Sequence, residues 1–160
     1  MTRYGRLGLR VAALVAAMDL SSKYLILYLI ELPERQSIRL TPFLDLSMVW
    51  NRGISYGWFQ AENETGRWLL AAVTVAICAG LIWWLTRLTH LLAALAVGTI
   101  LGGALGNLHD RVVYGAVVDF FDFHILGYHW YVFNVADAAI SIGAALLVLD
   151  AFRPEPQQNG

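Results

Sequence analysis

The sequence predicts an all-α membrane protein with four transmembrane helices and a small extracytoplasmic β-element between the first and second of them. Of the 160 residues, 58% are hydrophobic and only 14% are charged, whereas an ordinary soluble domain carries about 25% charged residues. Four apolar runs approach the roughly 20 residues that a spanning helix needs. So few charges would not cover the surface of a soluble protein of this size, and the apolar content excludes a disordered chain.

The composition also excludes several classes of function. The net charge is −1 and there is no basic block, so the phosphate-neutralising surface of a nucleic-acid-binding protein is missing. Cys78 is the single cysteine, which excludes an internal disulfide and cysteine-rich zinc sites. The spacing of His109, His124 and His129 fits no standard set of metal ligands. We therefore expect neither a metal nor a cofactor.

The first predicted span covers about residues 7–30. Three arginines in the first ten residues favour a cytoplasmic N-terminus, because the first helix usually dominates the topology. The arginines of the inner and outer segments are otherwise evenly divided, so charge alone does not decide the orientation. Asp19 and Lys23 lie inside this span, four residues apart and on one helix face. They can pair with each other, either to orient the helix or to take part in chemistry.

The first outer segment, about residues 32–67, contains the predicted β-element. Four apolar residues alternate with other residues here, and they are Leu44, Leu46, Met48 and Trp50. Alternation with a period of two predicts a half-buried strand, and Gly53 and Gly57 mark turns after it. A small sheet that rests on the membrane surface would fit this segment.

The second and third predicted spans cover about residues 68–85 and 91–108. Glycines recur every fourth residue in the third span, and they are Gly98, Gly102 and Gly106. Such a stripe of small residues lets another helix approach closely. It would hold Asn107, at the end of the span, close to a neighbouring helix.

The second outer segment, about residues 109–130, is rich in aromatic residues. This composition suits a membrane–water interface, or equally a surface that faces a substrate. Three aspartates in the segment could meet a carboxyl group of the last span, and they are Asp110, Asp119 and Asp122. Asp119 follows an apolar stretch and precedes two phenylalanines, which indicates a water-poor setting. Asp110 adjoins Arg111, and the two could form a structural ion pair.

The fourth predicted span, about residues 131–152, opens with Asn134 and Asp137 on one helix face. Ionisable groups at membrane depth cost about 2.5–3.5 kcal/mol each on insertion scales, so they are candidates for function. Two carboxyl groups that meet at the outer face of the bundle would share one proton, and such a pair suits peptide hydrolysis without a metal. The structural alternative for Asp137 is a hydrogen bond between helices.

Two other classes of membrane protein share some of these features. A proton- or ion-translocating subunit also buries carboxyl groups, but it needs polar residues through the whole membrane depth. Here the polar residues gather toward the outer ends, apart from Asp19 and Lys23. A scaffold protein would explain the glycine stripe but not two aspartates in apolar, aromatic surroundings.

Short polar and glycine-containing motifs lie at the outer ends of the predicted spans. They are Asp19 with Lys23, Asn51-Arg52-Gly53 through Gly57, Gly102-Gly103 with Gly106-Asn107 and Asp110-Arg111, Gly115 with Val118-Asp119-Phe120, and Phe133-Asn134-Val135-Ala136-Asp137-Ala138. In order, spacing and placement these motifs resemble bacterial lipoprotein signal peptidase (signal peptidase II), a family of membrane aspartic endopeptidases. The resemblance covers nearly the whole chain.

The resemblance implies four transmembrane helices in the bacterial cytoplasmic (inner) membrane, with both termini cytoplasmic and the active site toward the outer face. It implies cleavage of a diacylglyceryl-modified prolipoprotein on the amino side of its lipidated cysteine, without a metal. We expect residues 1–160 to form one integral membrane domain that acts as a monomer in contact with membrane lipids.

The resemblance also implies roles for individual residues. Asp119 and Asp137 match the catalytic pair of the family. The supporting or substrate-contacting positions are Asn51, Gly53, Asn107, Arg111, Asn134, Ala136, Asp19 and Lys23. Two features depart from the family pattern and could alter the loop that covers the substrate. Ile54-Ser55-Tyr56 stands where small residues and then Phe are usual, and His109 stands where an apolar residue is usual.

Overall fold

The computed structural model of the chain describes residues 1–53 and 64–152. Within these two ranges the helices are α1 (Arg3–Tyr24), α2 (Leu32–Arg35), α3 (Glu64–Leu85), α4 (Leu91–Val113) and α5 (Val135–Ala151). The strands are β1 (Ser37–Thr41), β2 (Leu44–Asn51), β3 (Val117–Ile125) and β4 (Tyr128–His129). A π-helical turn, Leu25–Leu29, continues α1. Gly57 and the departure at Ile54-Ser55-Tyr56 lie outside the described residues.

Three helical segments of the described chain are long and apolar enough to cross a membrane: Arg3–Leu29, Glu64–Leu85 and Leu91–Val113. Their positions agree with those of the first three predicted spans. The third is longer than predicted, because α4 continues to Val113. Its last turns therefore carry Asp110 and Arg111, which belong to the predicted second outer segment.

The predicted fourth span corresponds to α5, which has 17 residues. At 1.5 Å per residue this helix is about 26 Å long, somewhat less than the roughly 30 Å hydrocarbon core of a bilayer. Four transmembrane helices therefore stay a prediction. The side chain of Asn134 caps the helix, since its Oδ1 accepts a hydrogen bond from the backbone N–H of Asp137 at 2.9 Å.

Helix α4 occupies the centre of the bundle and packs against α1, α3 and α5. The predicted glycine stripe makes this close packing possible. Gly98 lies against the backbone of Gly8, and Gly102 lies against the backbone of Ala12. Gly103, beside the stripe, approaches α5 in the same way. A Cβ atom at any of these glycines would collide with the neighbouring helix, so the prediction of helix contact along the stripe is confirmed.

The four strands form one antiparallel sheet in the order β1-β2-β3-β4. The predicted β-element between the first two spans is present as β1 and β2, and the second outer segment adds β3 and β4 to the same sheet. Strand β3 could not be predicted from alternation, because its first four residues, Val117–Phe120, are all buried. A strand buried on both faces shows no alternation that could reveal it.

A β-bulge interrupts the pairing of β2 with β3. Leu46 lies opposite Phe121, but the next paired residue of β2 is Val49, which lies opposite Asp119. Strand β2 therefore contains one extra residue, which turns the remainder of the strand over. As a result Asn51 points to the same face of the sheet as Asp119. The bulge also breaks the predicted alternation, since Leu46 is buried whereas Trp50 is exposed.

Candidate active site

Asp119 lies on one face of β3, and the bulge in β2 directs Asn51 to that same face. The side-chain amide of Asn51 donates a hydrogen bond to Asp119 Oδ2 at 3.0 Å. The same amide contacts the hydroxyl of Tyr131, and Asn51 Oδ1 accepts from the backbone N–H of Gly53 at 3.0 Å. Asn51 therefore holds Asp119 and also shapes the turn that follows β2.

Asn134 connects Asp119 to the beginning of α5. Paired backbone hydrogen bonds between Phe121 and Phe133 fix the chain before α5 against β3. They place Asn134 beside the strand, where its amide Nδ2 donates to Asp119 Oδ1 at 2.6 Å. Because the Oδ1 of Asn134 accepts from Asp137 N–H, one side chain contacts both the strand and the helix that carry the two aspartates.

Asn107 completes the connection between the two carboxyl groups. Its amide donates to Asp137 Oδ1 at 2.8 Å, and its own oxygen accepts from Asn134 Nδ2 at 3.1 Å. The hydrogen bonds thus run from Asp119 through Asn134 and Asn107 to Asp137. We call these four residues the dyad network.

The two carboxyl groups of the dyad network have different surroundings. Asp119 is completely buried. Burial and the nearby negative charge of Asp137 raise the pKa of Asp119 to about 7, although hydrogen bonds from Asn51 and Asn134 oppose the shift. Asp137 is only partly buried and lies in the first turn of α5, where the helix dipole favours a negative charge. Asp119 can therefore hold a proton much closer to neutral pH than an ordinary aspartate does.

Asp137 faces a cavity of about 750 Å³ between the sheet and helices α3, α4 and α5. The polar end of the cavity is formed by Asp137 together with Asn51, Asn107, Arg111 and Tyr131. Its apolar walls come from the helices, and they include Ile77, Ile100, Ala104, Ile140 and Ile142. The cavity thus joins an acidic site to an apolar space inside the bundle.

Arg111 supplies positive charge at the polar end of this cavity. Its guanidinium donates to the backbone oxygen of Asn107 and to that of Gly53, both at 3.3 Å. The second contact joins α4 to the turn after β2. Arg111 does not pair with Asp110 as the sequence analysis suggested, because Asp110 binds Lys23 instead.

A buried ion network lies next to the dyad network. Lys23 Nζ lies 2.7 Å from Asp19 Oδ2 and 2.7 Å from Asp110 Oδ2, which confirms the predicted pairing of Lys23 with Asp19. The carboxyl group of Asp19 also accepts the backbone N–H of Ala136 at 2.9 Å, and that of Asp110 accepts the backbone N–H of Val118 at 3.1 Å. These contacts fix α1, α4, β3 and α5 relative to one another.

The structure gathers the predicted site residues around one region. Asp119, Asp137, Asn51, Asn107 and Asn134 hydrogen-bond within it, while Arg111 and Gly53 lie at its rim and Asp19, Lys23 and Ala136 support it from the ion network. Asp122 lies elsewhere, since it contacts His129 and Ser47.

Tyr131 was missed as a site residue. The sequence shows it only as one of many aromatic residues in its segment, whereas its hydroxyl group contacts the amide that holds Asp119.

Comparison with known proteins defines the class to which this fold and site belong. The family model for signal peptidase (SPase) II matches residues 11–153. The lipoprotein signal peptidase of Methylorubrum extorquens (strain PA1) is 49% identical over 152 residues, which covers 95% of this chain and 89% of that protein. The lipoprotein signal peptidase of Methylobacterium sp. (strain 4-46) is 50% identical over 144 residues, covering 90% and 87%.

A solved structure of a bacterial membrane enzyme, determined by the in meso method at 2.3 Å resolution, has a similar fold, with a TM-score of 0.79. The two sequences are 26% identical, and the match covers 95% of this chain and 94% of that one. The molecule is therefore a membrane protein with the fold of a membrane enzyme. The chain belongs to the signal peptidase II family, which is a family of peptidases. The resemblance noted in the sequence is confirmed.

Proposed function

We propose that this chain is an aspartic endopeptidase that removes the signal peptide from diacylglyceryl-modified prolipoproteins, cleaving on the amino side of the lipidated cysteine. The observation that carries the proposal is the dyad network, which joins Asp119 to Asp137 at the polar end of a cavity between helices. The related proteins are named lipoprotein signal peptidases, and this supports a lipoprotein precursor as the substrate.

The cavity has the two surfaces that such a substrate needs. A signal peptide is an apolar helix, and the walls formed by Ile77, Ile100 and Ile140 offer it an apolar surface within the bundle. The scissile bond would then lie at the polar end, next to Asp137, with the lipid chains along the outer leaflet. Arg111 lies close enough to contact the lipid-linked backbone or a lipid headgroup.

The proposed chemistry uses the different surroundings of the two aspartates. Ionised Asp137 removes a proton from a water molecule, whose oxygen then attacks the scissile carbonyl carbon. Protonated Asp119 donates its proton to the carbonyl oxygen, which gives a tetrahedral diol. In the second step Asp137 returns its proton to the leaving amine as the C–N bond breaks, and Asp119 recovers a proton from a diol hydroxyl.

Binding of the substrate must open a path to Asp119, because its side chain is completely buried in the free protein. Asn107 and Asn134 hold the two carboxyl groups in orientation during both proton transfers. We assign no metal and no cofactor to these steps, since the two carboxyl groups supply both the base and the acid.

We place the protein in the bacterial cytoplasmic membrane as a monomer, with residues 1–160 forming one integral membrane domain. We propose that α5 is the fourth transmembrane helix and that both termini are cytoplasmic. The sheet and the dyad network then lie toward the outer face, where lipid-modified precursors are exposed.

Cleavage of a diacylglyceryl-modified prolipoprotein by the purified chain in detergent, with a chelator present, tests the proposal. We expect chelator-resistant cleavage by the wild type. Asp119→Asn and Asp137→Asn should each lose about 100-fold or more in rate, because a positioned acid or base contributes at least that factor. Asp122→Asn is the matched control, since Asp122 lies on the same strand but outside the dyad network, and it should retain activity.

Substantial turnover by either dyad variant would refute the assignment of the two aspartates. No cleavage by a folded wild-type protein would refute the proposed substrate, and family membership would then mark descent rather than activity.

A further inference from the structure

The hairpin formed by β3 and β4 ends in an exposed apolar tip. Ile125 is 71% exposed, Tyr128 is 73% exposed, and Leu126 between them is fully exposed. Leu126 and Gly127 both have positive φ, at 52° and 82°, in a two-residue turn where Asn-Gly is the favoured pair. A leucine at such a position, with its whole side chain in water, is unfavourable for both its backbone and its solvation.

The tip of this hairpin carries no charged side chain. Residues 123–131 include no Asp, Glu, Lys or Arg. The two histidines face the sheet: His124 lies 3.3 Å from Asp45, and His129 lies 3.0 Å from Asp122. The tip therefore has no charged rim of the kind that usually surrounds a protein-binding surface.

The hairpin lies close in the chain to α5, the helix proposed above as the fourth transmembrane helix. Trp130, at its base, is 65% exposed and lines the same cavity as Ile140 and Ile142 of α5. Helix α5 begins only a few residues later, at Val135. Tryptophan and tyrosine are enriched at membrane–water interfaces because one part of each ring system is apolar and the other polar.

We propose that the β3–β4 hairpin inserts its tip, Ile125–Tyr128, into the bilayer leaflet beside the cavity. Contact with lipid removes the exposed leucine from water and offsets the unfavourable turn. The occupant of this apolar surface is the lipid itself, because the tip lacks charge and is followed within a few residues by the proposed fourth transmembrane helix. Insertion would also fix the depth of Trp130, and hence of one wall of the cavity, relative to the membrane.

Site-directed spin labelling in phosphatidylcholine–phosphatidylglycerol vesicles tests the insertion directly. A nitroxide is attached at Leu126→Cys in a Cys78→Ala background, and its collisions with oxygen and with a water-soluble nickel chelate are compared. Val75→Cys, exposed within α3, is the control inside the membrane, and Glu34→Cys is the control in water. We expect the label at position 126 to collide several-fold more with oxygen than with nickel, as the label at position 75 does.

A label at position 126 that behaves like the one at Glu34 would overturn the proposal. Protection from both reagents would also overturn it, because that result indicates a protein partner on the tip. A second measurement avoids the Cys78 change. Lipids brominated near the headgroup should quench the tryptophan fluorescence of the wild type more than that of Trp130→Phe, and equal quenching would count against insertion.

Discussion

Asn134 has a structural and a chemical role at the same time. It caps α5 through its oxygen and holds Asp119 through its nitrogen. Serine is also a good N-cap, but it lacks the amide that reaches Asp119. The two roles of Asn134 can therefore be separated by the choice of substitution.

We expect Asn134→Ser to retain most of the thermal stability of the wild type but to lose much of its activity. Asn134→Ala should lose activity and also about 1 kcal/mol of stability, because the helix cap is removed. Thermal unfolding in detergent, measured beside the cleavage rate, checks both expectations. Equal loss of stability in the two variants would show that capping is not the structural role of this side chain.

The raised pKa of Asp119 predicts how the activity depends on pH. Below a pH of about 7 this carboxyl group holds the proton that it donates, and above that pH it is increasingly ionised. The value of kcat/KM should therefore fall as the pH rises through about 7, with an apparent midpoint that belongs to the pair of aspartates. A profile that rises through this range would contradict the assignment of Asp119 as the acid.

The hydrogen bond from Asn51 refines this prediction. The Asn51 amide stabilises the ionised form of Asp119, so Asn51→Ala should move the descending limb of the pH profile to higher pH. Ser47→Ala is the control, because Ser47 donates to Asp122 rather than to Asp119. The position of the limb, rather than the absolute rate, is the relevant measurement.

At the scale of single elements, a strand or helix could be predicted where the burial of its residues leaves a pattern in the sequence. The strand over Leu44–Trp50 could be predicted because it alternates, but the bulge inside it could not, since one extra residue leaves the local composition unchanged. Strand β3 was hidden by burial on both faces. Helix α4 was predicted too short because its last turns carry charged residues, which the neighbouring Lys23 and the carbonyl of Gly53 accommodate.

The glycine stripe of α4 gives a prediction about helix packing. Gly98→Ala places a methyl group against the backbone of Gly8 and should destabilise the bundle by about 1–3 kcal/mol. Gly80→Ala in α3 is the matched control, because nothing lies within 4 Å of the added methyl group, and it should be neutral or stabilising. Thermal unfolding of both variants in the same detergent makes the comparison. Equal effects at the two positions would contradict close packing along the stripe.

At the scale of the whole molecule, the ion network is the part of the site that sequence reasoning recovered least completely. Asp19 and Lys23 could be paired because they lie one helical turn apart. Asp110 could not be assigned to Lys23, because the two are distant in the sequence and Asp110 has an arginine as its direct neighbour. The aspartates of the dyad were found through their motifs, since no local pattern indicates that β3 and α5 meet.

Removal of Lys23 tests how much of the fold depends on this network. Lys23→Met leaves two buried carboxyl groups, Asp19 and Asp110, without their shared cation. We expect a loss of about 3–5 kcal/mol in stability, the usual cost of breaking a buried ion pair from one side.

The combined variant Asp19→Asn, Lys23→Met, Asp110→Asn should recover part of this loss, because no charge then remains unpaired. Thermal unfolding of the triple variant and of Lys23→Met, in the same detergent, compares their stabilities. A triple variant that is less stable than Lys23→Met would show that the carboxyl groups stabilise the fold independently of the lysine.

The bulge in β2 has a consequence for how this protein can vary through evolution. Deletion of the one extra residue between Leu46 and Asn51 would remove the bulge and leave Asn51 opposite Val117, on the same face of the sheet as Asp119, whereas deletion of a second residue would rotate Asn51 to the other face. This short stretch can therefore lose one residue but not two. Among descendants that keep the site, β2 should be found either with the bulge or one residue shorter without it.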